Sequence, residues 1–304
     1  MEENESVKNI SLYISLIQQN FPEIELRSTR PITRGWDSFV LDVNGELIFR
    51  FPMRDDVMVY LRREMRLLPL LEPTLSTPIP HFRYLGQGNA DYPHTFVGYT
   101  KLNGVALESE GITGEQLARL APALARFLSE LHHFPTEPAI QAGVEAHTPE
   151  QWRERYRERY LDMQKRVFPR LNEELRARSA QVWEGFLEDR AIYAFQPVLI
   201  HGDLNGEHIL CDPERGVLTG VIDWGDVTIG DPALDFVGLH RLHGRAFVEQ
   251  VLSDYRGQID GTFWRRMDFY LCYDPFAQLI YGAYEENEQF IQQGIEGLRA
   301  LFGV

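Results

Sequence analysis

Residues 209–224 read ILCDPERGVLTGVIDW, two apolar runs on either side of Pro213-Glu214-Arg215-Gly216. A turn of that composition folds its flanks back on each other as an antiparallel hairpin. Counting outward from the turn, the open end gathers Asp203 and His208 on the way in and Asp223 on the way out. The adjoining GDVTIGDPALD adds a second acidic cluster. Carboxylates crowded together repel unless a cation sits between them or one of them keeps its proton. Turn and cap preferences explain any single one of these acids. They do not explain the whole arrangement, which reads as a chemical centre.

Strands also dominate the N-terminal part. VLDV and ELIFRF flank Asn44-Gly45, a hairpin signal because both residues tolerate the positive φ of a type I′ turn. A helix is expected over 6–20, ended by Pro22, and another over 55–71, with further strands in HFRYLG and HTFVGY. Beyond Gly104 the pattern is helical over 114–133, 148–167, 171–189 and most of 244–303. The expected class is α+β with two lobes: a sheet-rich N-lobe over 1–98, a hinge over 99–104 and a larger, mainly helical C-lobe over 105–304.

A hydrophobic content of 44% over 304 residues is ample for a core. No apolar run approaches the roughly eighteen residues of a membrane helix, and MEENESVKN lacks a signal-peptide pattern. The expectation is a cytoplasmic monomer. Cys211 and Cys272 are too few for a disulfide framework and read as reduced core residues. A formal net charge of -15 argues against nucleic acid as partner and suits a cationic or neutral small molecule.

The helix at 55–71 carries an acid within its apolar stripe, Glu64 among Tyr60, Leu61, Leu67, Leu68 and Leu71. A carboxylate on a buried face needs a partner. The preceding strand offers Arg50, whose neighbours Phe49 and Phe51 point to the opposite face. A strand cation held by a helix acid is the device by which kinases grip nucleotide phosphates.

GWDSFVLDVNGELIFRFP, REMRLLPLL, FVGY, HGDLNGEHIL and GVIDWGDVTIGDPALD follow in that order along the chain. With those motifs it resembles the aminoglycoside phosphotransferases, small-molecule kinases of protein-kinase-like fold, and among them most closely the 2″-phosphotransferase group. The resemblance implies transfer of the γ-phosphate of ATP or GTP, with Mg2+, to a hydroxyl of an aminoglycoside-type antibiotic, and hence antibiotic resistance; a macrolide is the alternative acceptor. It makes Asp203 the catalytic aspartate, which accepts or orients the proton of the acceptor hydroxyl, His208 and Asp223 the metal ligands, and Arg50 with Glu64 the phosphate grip. Gly35, Trp36, Asp37 and Ser38 match the loop over the nucleotide, and Tyr99 with Lys101 the hinge that meets the base. His201 and Asp235 brace loops in this pattern, and His132 reads as packing. Asp268, Glu285, Glu286, Glu288 and Tyr273 are the candidates for holding the amines and sugar face of the acceptor. After DPALD the chain turns basic, in LHRLHGR.

Overall fold

The structure, a computed structural model, describes residues 2–32 and 37–304, with side chains from Ile10 onward. The chain runs α1 (Glu2–Asn20), β1 (Thr29–Ile32), β2 (Ser38–Val43), β3 (Leu47–Pro52), α2 (Asp55–Leu71), β4 (Tyr84–Gly86), β5 (Phe96–Thr100) and β6 (Val105–Ala106). Then follow α3 (Gly114–His132), α4 (Thr136–Gln141), α5 (Pro149–Asp162), α6 (Glu173–Glu188), β7 (Val198–Ile200), β8 (Ile209–Asp212), β9 (Val217–Val221) and β10 (Thr228–Gly230). The C-terminal stretch is α7 (Val237–Asp254), α8 (Phe263–Leu271), α9 (Tyr273–Tyr284) and α10 (Glu288–Phe302). It divides into two compact units: Met1–Glu130 with Glu137–Val144 and Gly206–Asp226, and Leu131–Thr136 with Glu145–Asn205 and Val227–Val304.

In the first unit an antiparallel sheet has the order β1-β2-β3-β5-β4. Asn44 and Gly45 take left-handed φ values of 60° and 72°, and the Glu46 amide donates to the Val43 carbonyl, so β2 and β3 turn as their sequence requires. The alternation along β3 separates two environments. Phe49 and Phe51 join Tyr13, Leu16 and Ile17 of α1, together with Leu41, Val43 and Phe96, in one core cluster. Arg50 leaves from the other face, the side on which Val97 of β5 packs with Met58 and Leu61 of α2. Gly98 lies opposite Phe49, and a Cβ there would come within 2.4 Å of that ring. A second sheet, β6-β8-β9, contains the hairpin expected at 209–224, with a register shift between Leu210 and Cys211.

The second unit pairs β7 with β10 and buries an aromatic core, including Trp152, Trp183 and a Phe186–Phe269 stack at 3.7 Å. Beside it Asp231, the first acid of DPALD, is fully buried. It accepts from Arg266 Nε at 2.6 Å and from the Tyr270 hydroxyl at 2.7 Å, while its other oxygen caps the amide of Ala233. Arg266 Nη2 donates on to Asp260 at 2.7 Å.

Several features differ from the sequence expectation. The short α4 was hidden in a stretch without clear periodicity. α7 starts at Val237 rather than near 244, because Asp231 caps the 3-10 turn at Pro232–Phe236 that leads into it. Gly244 interrupts α7 with φ 77° and ψ 176°. Both cysteines are free thiols, Cys211 buried and Cys272 half-buried.

Burial pushes the Asp260 carboxyl upward, but hydrogen bonds from Arg266 and Thr262 outweigh it and bring its pKa down to about 2. A carboxyl depressed below its unfolded value of about 3.9 stabilises the fold above that pH, and the contribution is lost as pH falls through the folded value. Asp260→Asn should therefore lower Tm near neutral pH and flatten the fall of Tm between about pH 4 and pH 2. A scanning-calorimetry series over that range checks it, and an unchanged slope would exclude the coupling.

Candidate active site

In the first unit the site begins with a buried ion pair. Arg50 Nη1 donates to Glu64 Oε2 at 2.7 Å and Nη2 to Oε1 at 3.2 Å, the parallel two-bond geometry that guanidinium and carboxylate planes allow. Glu64 is 1% exposed and Arg50 15%. Burial raises the Glu64 carboxyl above its ordinary value while Arg50 pulls it down. Burial also works against the Arg50 charge, but Glu64 first and Asp223 second outweigh it, and the guanidinium stays charged.

Asp223 lies two residues past the end of β9, with φ 64° and a side chain 55% exposed. Its Oδ1 lies 3.9 Å from Arg50 Nη2 and its Oδ2 3.6 Å from His208 Nε2. His208 ends a short turn before β8 and is joined to the exit of β9, its carbonyl accepting the Ile222 amide at 2.9 Å. The hairpin thus brings His208 and Asp223 together at its open end, beside Arg50. Among the described residues no group of three or more His, Cys, Asp and Glu side chains gathers as a metal cage.

Gly35 and Trp36 lie outside the described residues. Asp37 is exposed and paired with Arg54 at 2.9 Å, and Ser38 is buried at the start of β2. Tyr99 is buried in β5, and its hydroxyl is pushed up to about 12 by burial, with Arg50 opposing. Lys101 is engaged by the sheet at both ends: its amide donates to the Glu46 carbonyl and its ammonium to Asp42 at 2.7 Å.

In the second unit the HGD stretch is a braced loop. The amides of His201 and Gly202 each donate to Asp235 at 2.9 Å. His132 Nε2 meets Asp235 at 3.1 Å, and its Nδ1 meets the Tyr255 hydroxyl at 2.6 Å. Asp203 is partly exposed, and its carboxylate accepts from the Asn205 amide group. Gly238 of α7 comes so close that a Cβ there would lie 2.3 Å from the Leu204 carbonyl. His132 is therefore part of the brace as well as of the core. Residues 132, 235 and 255 share no local pattern that would have flagged Tyr255.

The acceptor candidates are not gathered in one place. The Tyr273 hydroxyl is taken by Arg159 at 2.7 Å, with Tyr156, Trp183 and Phe269 around its ring. Asp268 lies on the exposed side of α8, where it lines a groove with Asp189, Arg265 and Cys272. Glu285, Glu286 and Glu288 occupy the exposed corner between α9 and α10, and Glu288 is paired with Arg170 at 2.5 Å. The basic LHRLHGR segment is offset within this unit: Arg241 pairs with Asp274 at 2.7 Å, and Arg245 pairs with Glu249 and stacks over Trp264.

Residues 28–270 match the model of the phosphotransferase enzyme family (APH). A structure of the GDP and kanamycin complex of an APH(2″) enzyme is 33% identical, with a TM-score of 0.87 over 95% of this chain and 97% of that one. The fold is thus the kinase-like α+β class expected. Viomycin phosphotransferase of Streptomyces vinaceus is 26% identical over 82% of each chain. An uncharacterized protein of Bacillus subtilis, YcbJ, is 28% identical over 74% of this chain and 72% of its own.

Removing one partner of a buried bidentate pair strands the other charge, at a cost of about 3 to 5 kcal/mol. Glu64→Leu should lose stability in that range by urea denaturation, and Arg50→Met/Glu64→Leu should recover most of it. Additive losses in the double variant would mean the two side chains are not coupled.

Proposed function

The chain belongs to the phosphotransferase enzyme family, and from that membership we propose that it transfers the γ-phosphate of ATP or GTP to a hydroxyl of an aminoglycoside-type acceptor, the 2″-hydroxyl by analogy. The observation that carries the reading is the buried Arg50–Glu64 pair with Asp223 and His208 beside it. Phosphoryl transfer asks a protein mainly to fix polyanionic oxygens and a hydroxyl in line while cations absorb developing charge.

In this reading Arg50 binds phosphate oxygens, and Glu64 holds it charged and aimed. Asp203 accepts a hydrogen bond from the acceptor hydroxyl and takes its proton as the new oxygen–phosphorus bond forms. The bond from the γ-phosphorus to the bridging oxygen breaks, and the nucleoside diphosphate leaves with the electron pair. Asp223 and His208 suit magnesium: the carboxylate is a hard, exposed oxygen donor, and two protein ligands leave most positions to phosphate and water. When bound, that ion neutralises charge on the phosphates. In this reading Tyr99, in β5, and Lys101, just past its end, border the base, and Asp37 and Ser38 lie on the nucleotide side of the sheet's first hairpin.

The aminoglycoside is supported by whole-length likeness to an enzyme solved with kanamycin, and by the net charge of -15. Its amines need carboxylates, for which Asp268, Glu285, Glu286 and Glu288 remain the candidates, with Tyr273 on the sugar face. We place the protein in the cytoplasm, where nucleotide is supplied; no helix among the described residues is long and apolar enough to cross a membrane.

A coupled assay of nucleoside-diphosphate release, run with ATP and GTP against kanamycin, gentamicin, viomycin and a macrolide, tests the reading. Asp203→Asn should abolish turnover and leave nucleotide affinity within about twofold, because its role is to act on the hydroxyl; near-normal kcat would remove it from catalysis. In the Glu285/Glu286/Glu288→Gln variant, KM for an aminoglycoside should rise at least tenfold. Each desolvated charged contact contributes about 1.5 to 3 kcal/mol, and the effect should shrink with salt. An unchanged KM for every aminoglycoside turned over would exclude these acids, and turnover of the macrolide alone would exclude the aminoglycoside.

A further inference from the structure

Arg63 precedes Glu64 on α2 and is likewise buried, 8% exposed. Adjacent side chains on a helix diverge by about 100°, so while Glu64 reaches β3, Arg63 reaches a different partner. Its Nη2 donates to the carbonyl oxygen of Gly225, two residues past Asp223, and its guanidinium lies 5.2 Å over the Tyr60 ring. Its Nε is buried without a hydrogen-bond partner. Packing alone does not ask for arginine here: an apolar side chain of that bulk would fill the space without burying a charge. What the guanidinium adds is a charge-assisted grip on one backbone carbonyl.

That carbonyl belongs to a strained segment. Asp223 has φ 64°, a conformation that costs a residue other than glycine about 1 kcal/mol or more and persists only where the surroundings over-determine it. On one side the Ile222 amide is tied to the His208 carbonyl at 2.9 Å. On the other, the buried Trp224 ring donates to the Val221 carbonyl at 3.0 Å, and Gly225 is held by Arg63. We propose that Arg63 is a positioning residue for Asp223: it ties the loop that carries the metal-binding acid to the helix that carries Glu64. A single rigid element then sets both the phosphate grip and the metal ligand. The inference rests on the reading that Asp223 holds a divalent cation together with the nucleotide.

The test uses the full chain and calorimetric titration of ADP and GDP, with Mn2+ and with no divalent cation. It compares wild type, Arg63→Met, Arg63→Gln and Asp223→Ala, and adds amide hydrogen exchange of residues 222–226 in the metal-free, nucleotide-free protein. Losing the support behind a metal ligand costs about 10- to 100-fold in metal affinity. Arg63→Met should therefore weaken Mn2+-dependent binding at least tenfold, leave metal-free binding within twofold, and speed exchange over 222–226. Arg63→Gln, too short to reach Gly225, should behave the same and carries the test if Arg63→Met fails to fold. Wild-type Mn2+-dependent binding in these variants, or equal loss with and without Mn2+, overturns the proposal. Asp223→Ala separates the two ideas: if it too keeps Mn2+-dependent binding, the reading of Asp223 itself falls.

Discussion

One guanidinium buried against one carboxylate dictates how the first unit is assembled. Taking both charges out of water costs several kcal/mol apiece, and the two parallel hydrogen bonds between Arg50 and Glu64, with Asp223 adding its attraction to Arg50, offset it. The requirement is geometric. Since Phe49 and Phe51 commit one face of β3 to the core with α1, Arg50 must leave by the other. α2 must then rotate until Glu64, in the middle of its apolar stripe, faces that strand. A helix free to settle by hydrophobic contact alone would have several acceptable rotations; this one has a single rotation that leaves no charge stranded.

The acids of the chain divide by exposure into two kinds. Asp231 and Asp235 are fully buried, and each accepts several hydrogen bonds, from Arg266 and Tyr270 in one case and from backbone amides and His132 in the other. Burial lifts the Asp231 carboxyl and Arg266 opposes it, as expected of a group whose work is to hold others in place. Asp203 and Asp223 are more open: Asp203 follows the two amides that Asp235 holds, and Asp223 sits in a segment tied to His208 and Arg63. Deep burial and exposure thus fall to different carboxylates.

Much of this was readable from residue order alone, for local reasons. Asn44-Gly45 and the Pro213–Gly216 turn specify hairpins because few other residues accept those backbone angles, and a hairpin carries its rim residues with it, which is why His208 and Asp223 meet. Arg50 and Glu64 could be paired in advance because strand alternation and helix periodicity each fix a direction. The Tyr255–His132–Asp235 chain, the neutralisation of Arg241 by Asp274 and the reach of Arg63 to Gly225 depend on segments far apart in sequence, and no local period encodes them. The acceptor candidates suffered from the same limit. Acidity along YEENEQF does not say which residues are taken by neighbours, and Glu288 is already tied to Arg170.

The break in α7 divides that helix into two mechanical parts. An unbroken α-helix behaves as a rod, so a push at its far end turns its near end. Gly244, with φ 77° and ψ 176°, replaces the rod by a swivel. The leading part, with Gly238 pressed on the Leu204 carbonyl, is bound to the braced loop, whereas the trailing part answers to Trp264 through Arg245. The trailing part reaches the same loop by another route, because Tyr255, just past its end, meets His132 of the brace. The braced loop is thus clasped from both sides of the break, directly through Gly238 ahead of it and through Tyr255 and His132 behind it.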